Sequence, residues 1–578
     1  VFFILFLLAN NDSTTVDTVQ TYEIPEIVMF YNGLSVVGEV FPSYYEQSVT
    51  DVLTNLPVTV LSYGFTPACA VGSRGANPYY TRIYVNGRRQ RGSLTGYFNL
   101  GQLSLHSFER VGYGQSITGS ELSGLNFQSM INRYDKPYSY ARFSFGSFQS
   151  NAYGIDLTRA ITNDLGLYAS GEYSRTDGFR DQSDAERLSV YAHVYYNRFF
   201  PARLDLFYSD HDYGFPGTVH ESREGRQEDR FLDISTTFAL GRSVMNFFYT
   251  AQNMAYADSQ NVTFTEYRMK QLGADLAYHR ELLGFIIDYG VTSYFLDVDG
   301  TVTSYPDVPL DLWAQLSKDV RPVSFQVAGY FGKAGDHENF YCPSVEAAYE
   351  FFRSTQLYLS LSREARAPSD LEFHAVFDSM NPYFRIAGNE DLDPEYCWIQ
   401  EAGVRSELFS IGYYRFNYDD FITVNPGPGN DYEYVNIDDW LITGCDTRFE
   451  LPLRFFSNDS GKNVSLTIGG SGNIILDGDS VLYMPEYQFG GHLSVMRETS
   501  RFAFGATVRG DVYGGRVDLS GQESPGFSVV SAAGMVRFMG LSIIGRVNNI
   551  LDEDYAFIPG YPMPPRNYAV SVKWEFWD

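Results

Sequence analysis

Residues 567–578 read NYAVSVKWEFWD. Tyr568, Val570, Val572, Trp574 and Phe576 fall on one side of an extended chain, and Asn567, Ser571, Lys573 and Glu575 on the other, because successive side chains of a strand point to opposite faces. The same two-residue period separates Leu188, Val190, Ala192, Val194 and Tyr196 from Arg187, Ser189, Tyr191, His193 and Tyr195. It returns in Phe502, Phe504, Ala506 and Val508, and again in Leu541, Ile543, Gly545 and Val547. From about residue 138 onward, segments of roughly ten residues with this alternation follow one another, each bounded by turn residues.

A sandwich, a propeller and a membrane barrel all contain such strands, and the connections choose between them. Short links (240–242, 280–284, 318–322, 353–355, 497–501, 539–540) alternate with long ones (209–230, 297–308, 363–395, 417–440, 511–526, 549–566). In an up-and-down barrel, consecutive connections lie at opposite ends, so one end is tight and the other elaborate. The segment count is about 22, and barrels of that size have a plugged lumen. The expected fold is an all-β membrane protein, a 22-stranded antiparallel transmembrane β-barrel with a small N-terminal α/β domain in the lumen. That domain is read from residues before 135, where DVLTNL (51–56) suggests a short helix ahead of Pro57 and residues 82–86 a short strand among Gly-rich turns.

Composition removes other classes. With 70 acidic and 42 basic residues the net charge is −28, the wrong sign for neutralising phosphates, so no nucleic-acid partner is expected. A 44% apolar, 16% aromatic chain is not a disordered one. No run approaches the roughly 20 apolar residues of a membrane helix. Cys69, Cys342, Cys397 and Cys445 are too few and scattered for a disulfide framework or a CxxC metal site; a bridge among the last three is allowed in an oxidising compartment but not assignable. No Ser-His-Asp spacing or phosphate-binding loop stands out, and no enzymatic activity is expected.

Several ordered motifs resemble those of the TonB-dependent outer-membrane receptors, and the resemblance covers nearly the whole chain. Near the start these are DVLTNLPV (51–58), Ser73-Arg74-Gly75, Ile83 to Arg88 with Asn86 where the family has Asp, and Glu109-Arg110-Val111 with Tyr113. The family's Arg-Gly-Pro after that stretch is absent. In the barrel they are Thr176 to Arg180, the SREARAPS box (362–369), the GNEDLDPE box (388–395) followed by Glu401-Ala402-Gly403, and Asn548 to Asp552 with Tyr555, Gly560-Tyr561-Pro562 and Arg566. The size and short turns resemble the cobalamin transporters more than the larger siderophore receptors.

The resemblance implies domains. Residues 1–9 (VFFILFLLA) read as a signal-peptide remnant, 10–31 as a periplasmic segment, 32–134 as the plug and 135–578 as the barrel. It implies a TonB box at Glu23, Ile24, Pro25, Glu26, Ile27, Val28 and Met29, a stretch that pairs as an added strand with the energy-transducing TonB complex. It further implies an outer-membrane location, lipid contact, a monomer, and import of a scarce metal chelate such as a ferric siderophore or cobalamin. A passive porin and a capture receptor that binds without importing remain open as other readings.

Apical plug loops of the family correspond to residues 76–80 and 88–98, which makes Asn77, Tyr79, Tyr80, Arg88, Arg89, Arg91, Tyr97 and Phe98 the candidate ligand contacts. Arginine forks bind carboxylate, phosphate or catecholate oxygens, and aromatic faces stack on planar ligands; some of these arginines are equally suited to pairing with wall carboxylates. No resident cofactor is expected. Acid-rich outer segments make Asp419, Asp420 and Asp431 candidate Ca²⁺ ligands, and His374, between the two boxes, is the candidate haem ligand.

Overall fold

The computed structural model describes residues 34–40, 46, 48–62, 64, 69–76, 78–90, 92, 95–116, 123–129, 138–162, 164–219, 222–258, 263–301, 303–333, 339–352, 354–374, 385–426, 431–457, 462–499, 501–518 and 521–577. The proposed signal segment and Glu23 to Met29 lie outside them. Twenty-two antiparallel strands close into a barrel, from Tyr138–Gly146 round to Asn567–Trp577, which pairs back onto the first with Trp577 opposite Tyr138. Among the described residues no helix is long and apolar enough to cross a membrane.

The alternation read from the sequence becomes two faces of one wall. Phe143, Ile155, Leu272, Val327, Leu359, Ile411, Leu493, Ile543 and Tyr568 are exposed on the outside. Ser189, Tyr191 and His193 are buried in the bore. Tight hairpins join strands at one end. In the link between Thr263–Leu282 and Phe285–Gly300, Leu283 and Gly284 have φ of 55° and 74°, the left-handed pair that a two-residue turn matching strand twist requires.

The outer end differs from the expected pattern in two ways. The link between Tyr138–Gly146 and Asn151–Thr162 is short although it lies at the elaborate end. Residues 209–230 are largely strand, since Ala202–Gly217 and Ser222–Leu240 run on well beyond the apolar band. There, outward ion pairs replace apolar side chains: Arg226 lies 2.6 Å from Asp212 and 3.0 Å from Asp184, and Arg230 3.2 Å from Asp210. Polar residues on both faces erase the hydropathy signal while the ladder continues. A further hairpin, Phe421–Pro426 with Asp431–Ile437, folds inside the span read as a long loop.

Inside the bore sits a five-stranded sheet in the order Leu34–Val40, Phe108–Ser116, Ser123–Ser129, Thr81–Val85, Arg88–Gln90, with a separate hairpin of Val58–Ser62 and Cys69–Ser73. The helix is Val49–Leu53, two residues earlier than expected, because Ser48 and Asp51 form a capping box: the Asp51 amide donates to Ser48 Oγ at 3.3 Å and the Ser48 amide to Asp51 Oδ2 at 3.0 Å. Val52, Leu53, Leu56, Val111, Leu125 and Phe127 are fully buried and form its core.

Leu359 faces outward near the middle of Thr355–Arg366. Leu359→Arg is expected to cost about 2–4 kcal/mol of folding stability in lipid vesicles, measured by denaturant titration; an unchanged midpoint would place that face away from lipid.

Candidate functional site

The plug is fastened to the wall by groups far apart in sequence. Arg74 follows Cys69–Ser73 in a left-handed turn (φ 57°) and sends its buried guanidinium to Glu401 and to Asp446 at 3.2 Å, over the ring of Tyr414. Asn86 opens a second left-handed turn. Its Nδ2 donates to Asp205 at 3.1 Å and its Oδ1 accepts from the Ser129 amide at 2.9 Å. Here an Asp, which the family pattern would have, would set two carboxylates face to face. Arg546 of the wall reaches Asp51 at 2.6 Å, and Arg509 reaches Asn55 at 2.8 Å. Between these last contacts and the wall lies a cavity of about 550 Å³, bordered by Asp51, Asn55, Arg509 and Arg546 and extending to Tyr555 in an outer loop.

At the outer end a second cavity, of about 230 Å³, lies between plug apex and loops. Tyr79, Tyr97, Phe98 and Gln102 border it from the plug. Tyr213, Gln227, Asp229 and Gln252 border it from wall strands, and Leu371, Ile422, Tyr434 and Trp440 from the loops. Tyr79 and Tyr97 meet edge to face at 5.8 Å. Phe98 packs on Phe231 at 5.5 Å. Cys69 also lines this cavity, and burial pushes its thiol up to about 12, so it stays protonated at physiological pH.

The two boxes singled out in the sequence meet here. Arg366 of the first donates to both oxygens of Glu372, at 2.7 and 3.0 Å, and lies 3.0 Å from Glu395 of the second. Glu395 also accepts from the Ile422 amide at 2.9 Å and from the Tyr80 hydroxyl. The guanidinium of Arg366 stacks on Tyr79, 4.5 Å from its centroid. One buried cluster thus joins the plug apex to both large outer loops. The short helix Asp370–His374 is pinned by Tyr267, whose hydroxyl donates to Asp370 at 3.0 Å, and by Tyr305; burial raises the Asp370 carboxyl and these phenols oppose the rise.

Of the candidate ligand contacts, Tyr79, Tyr97 and Phe98 border the outer cavity. Tyr80 is turned to Glu395 and Tyr418. Arg88 faces the wall, donating to Asp233 at 3.2 Å and Thr250 at 3.1 Å, with its guanidinium over Phe248. Arg89 is half-buried on Arg88–Gln90. Asn77 and Arg91 lie outside the described residues. Asp419 ends Phe409–Asp419, Asp420 follows in a left-handed turn, and the side chain of Asp431 is not described; among the described residues no group of three or more His, Cys, Asp or Glu is arranged to hold a metal. His374 lies 3.6 Å from Glu390, beside the rings of Phe373 and Tyr305. All four cysteines are free thiols. The wall residues Gln227, Asp229 and Gln252 were missed, although the strand period places them on the inward face.

A family model for the TonB dependent receptor-like β-barrel matches residues 122–550. The chain belongs to the TonB-dependent receptor family. It is 22% identical to the vitamin B12 transporter BtuB of Photobacterium profundum, over 94% of this chain and 92% of that one. The fold is shared with the siderophore receptor PirA of Acinetobacter baumannii, at a TM-score of 0.74 and 12% identity over 94% of this chain and 98% of that one. It is shared equally with a mutant of the ferric enterobactin receptor PfeA of Pseudomonas aeruginosa in complex with enterobactin, at 0.73 and 13% over 92% and 97%. A TonB-dependent receptor with this barrel resides in the outer membrane of a Gram-negative cell.

Arg366→Ala in this receptor strands Glu372 and Glu395 without their counter-charge, a loss of about 3–5 kcal/mol for a broken buried pair. The expected result is faster proteolysis within residues 367–394 with the barrel's heat-modifiable gel migration unchanged; equal proteolysis rates would show that Arg366 does not hold the loops.

Proposed function

We propose that this receptor imports a scarce small ligand, a metal chelate or corrinoid, by moving its plug with energy delivered through TonB. The observation that carries the reading is the position of the fastenings. Arg74 with Glu401 and Asp446, and Asn86 with Asp205, join plug to wall outside the lining of the outer cavity, so a ligand held in that cavity would not release them by contact. A bore closed in this way is unsuited to passive flux, which argues against the porin reading.

The proposed sequence of events begins at the outer cavity. At about 230 Å³ it is smaller than the 300–1,000 Å³ typical of ligand pockets, so a chelate would need more room there than this structure leaves. Ligand pressing on Tyr79, a plug residue, is one contact from Arg366 and two from Glu395, which couples occupancy to the outer loops as well as to the plug. Work then comes from below. Glu23 to Met29 would pair with the periplasmic partner by strand addition, and tension would pass along the chain to Leu34–Val40, an edge strand held by one neighbour. The outer membrane has no nucleotide supply, and a mechanical input needs no phosphate-binding loop in the chain itself.

Deleting residues 22–30 is expected to abolish uptake of radiolabelled ligand by whole cells while surface binding stays intact. Uptake at the undiminished rate would remove TonB from the mechanism, and loss of binding would show that the segment serves the fold.

A further inference from the structure

The lining of the outer cavity constrains the charge of what enters it. Among its described lining residues there is no Lys or Arg. Arg91, next to the lining residue Gly92, lies outside the described residues. Arg366, behind Tyr79, has both terminal nitrogens committed to Glu372 and Glu395. Anionic chelates with catecholate or carboxylate oxygens are gripped by guanidinium forks or ammonium groups, and the described lining offers them neither.

It offers the opposite. Asp229 is buried and takes hydrogen bonds from two amides, Gln102 Nε2 at 2.8 Å and Gln252 Nε2 at 3.1 Å, with no ion pair to a cation among the described residues. Three further lining residues hold buried polar atoms that make no hydrogen bond: Gln102 Oε1, Gln227 Oε1 and the Tyr213 hydroxyl. Their parent residues are at most 2% exposed. A buried polar atom without a partner is costly, and a ligand that supplied the missing partner would relieve that cost. Two are carbonyl oxygens, which accept only. The remaining walls are aromatic and aliphatic, with Tyr79, Tyr97, Phe98 and Trp440 among residues such as Leu371, Ile422 and Val481, which suits an apolar or cationic surface.

We propose that this cavity selects a ligand of zero or positive net charge that presents N–H or O–H donors to Asp229, Gln102 and Gln227 and an apolar flank to the aromatic wall. The inference rests on the importer reading above and narrows it to exclude polyanionic chelates.

The test uses the full chain, folded in detergent, and four probes: cyanocobalamin (uncharged overall, rich in amides), ferrichrome (uncharged), ferrioxamine B (cationic) and ferric enterobactin (triply anionic). Equilibrium binding is measured alongside whole-cell uptake. The expected result is saturable binding of one or more of the first three and none of ferric enterobactin. Gln227→Leu, which removes an acceptor at nearly constant size, and Asp229→Asn are each expected to weaken the bound probe about tenfold, with folding checked by heat-modifiable migration. Tightest binding of ferric enterobactin overturns the charge assignment, and if that probe is also imported the importer reading survives. Affinity unchanged in both variants removes these residues from the floor and overturns the assignment. Binding of none of the four probes overturns the assignment, while the importer reading is judged by the deletion of residues 22–30.

Discussion

A strand that crosses hydrocarbon has no water to satisfy its N–H and C=O groups, so the ladder must close on itself. In this receptor closure falls between Asn567–Trp577 and Tyr138–Gly146, and the rest of the structure follows from it. Closing 22 strands leaves a bore wide enough to hold a small domain. That domain must then be attached by interactions strong enough to seal and specific enough to release. The sequence meets this with buried charged or amide contacts such as Arg74, Asn86 and Asp51, while the plug's apolar core of Val52, Leu53, Val111, Leu125 and Phe127 runs on into the wall at Tyr168, Tyr191, Phe207 and Phe231.

Buried charge pairs suit this purpose because their balance is fine. Each is expensive to break from one side and contributes little net stability when intact, so a plug held by them is firmly registered and yet separable if all the partners part together. The outer cluster has the same chemistry with another role. Glu395 accepts from a plug tyrosine and a loop amide while pairing with Arg366, so displacement of loop or plug is felt by the other.

Much of this was legible in the residues. The two-residue period and the parity of link lengths led to the barrel, its strand number and the lumenal domain, because lipid on one face and a filled bore on the other enforce a strict alternation. Tyr79, Tyr97 and Phe98 were legible as apical aromatics. Arg88 was not placed by its sequence neighbourhood: the fork that suits a ligand oxygen suits Asp233 equally, and that partner lies 145 residues away. Residues 209–230 were hidden for a different reason. Above the membrane both faces of a strand meet polar surroundings, and the charges of Arg226, Glu228 and Arg230 read as loop. The cavity floor was hidden because an orphaned amide oxygen, as in Gln227, is a property of packing in three dimensions.

The central claim is that the bore is shut by its own plug and that buried pairs keep it shut. Single-channel conductance in planar bilayers tests it without knowledge of the ligand. The intact chain is predicted to insert silently, and an Arg74→Ala variant, which leaves Glu401 and Asp446 unpaired, to show intermittent openings of large conductance. An intact chain that conducts steadily as an open pore would contradict the account.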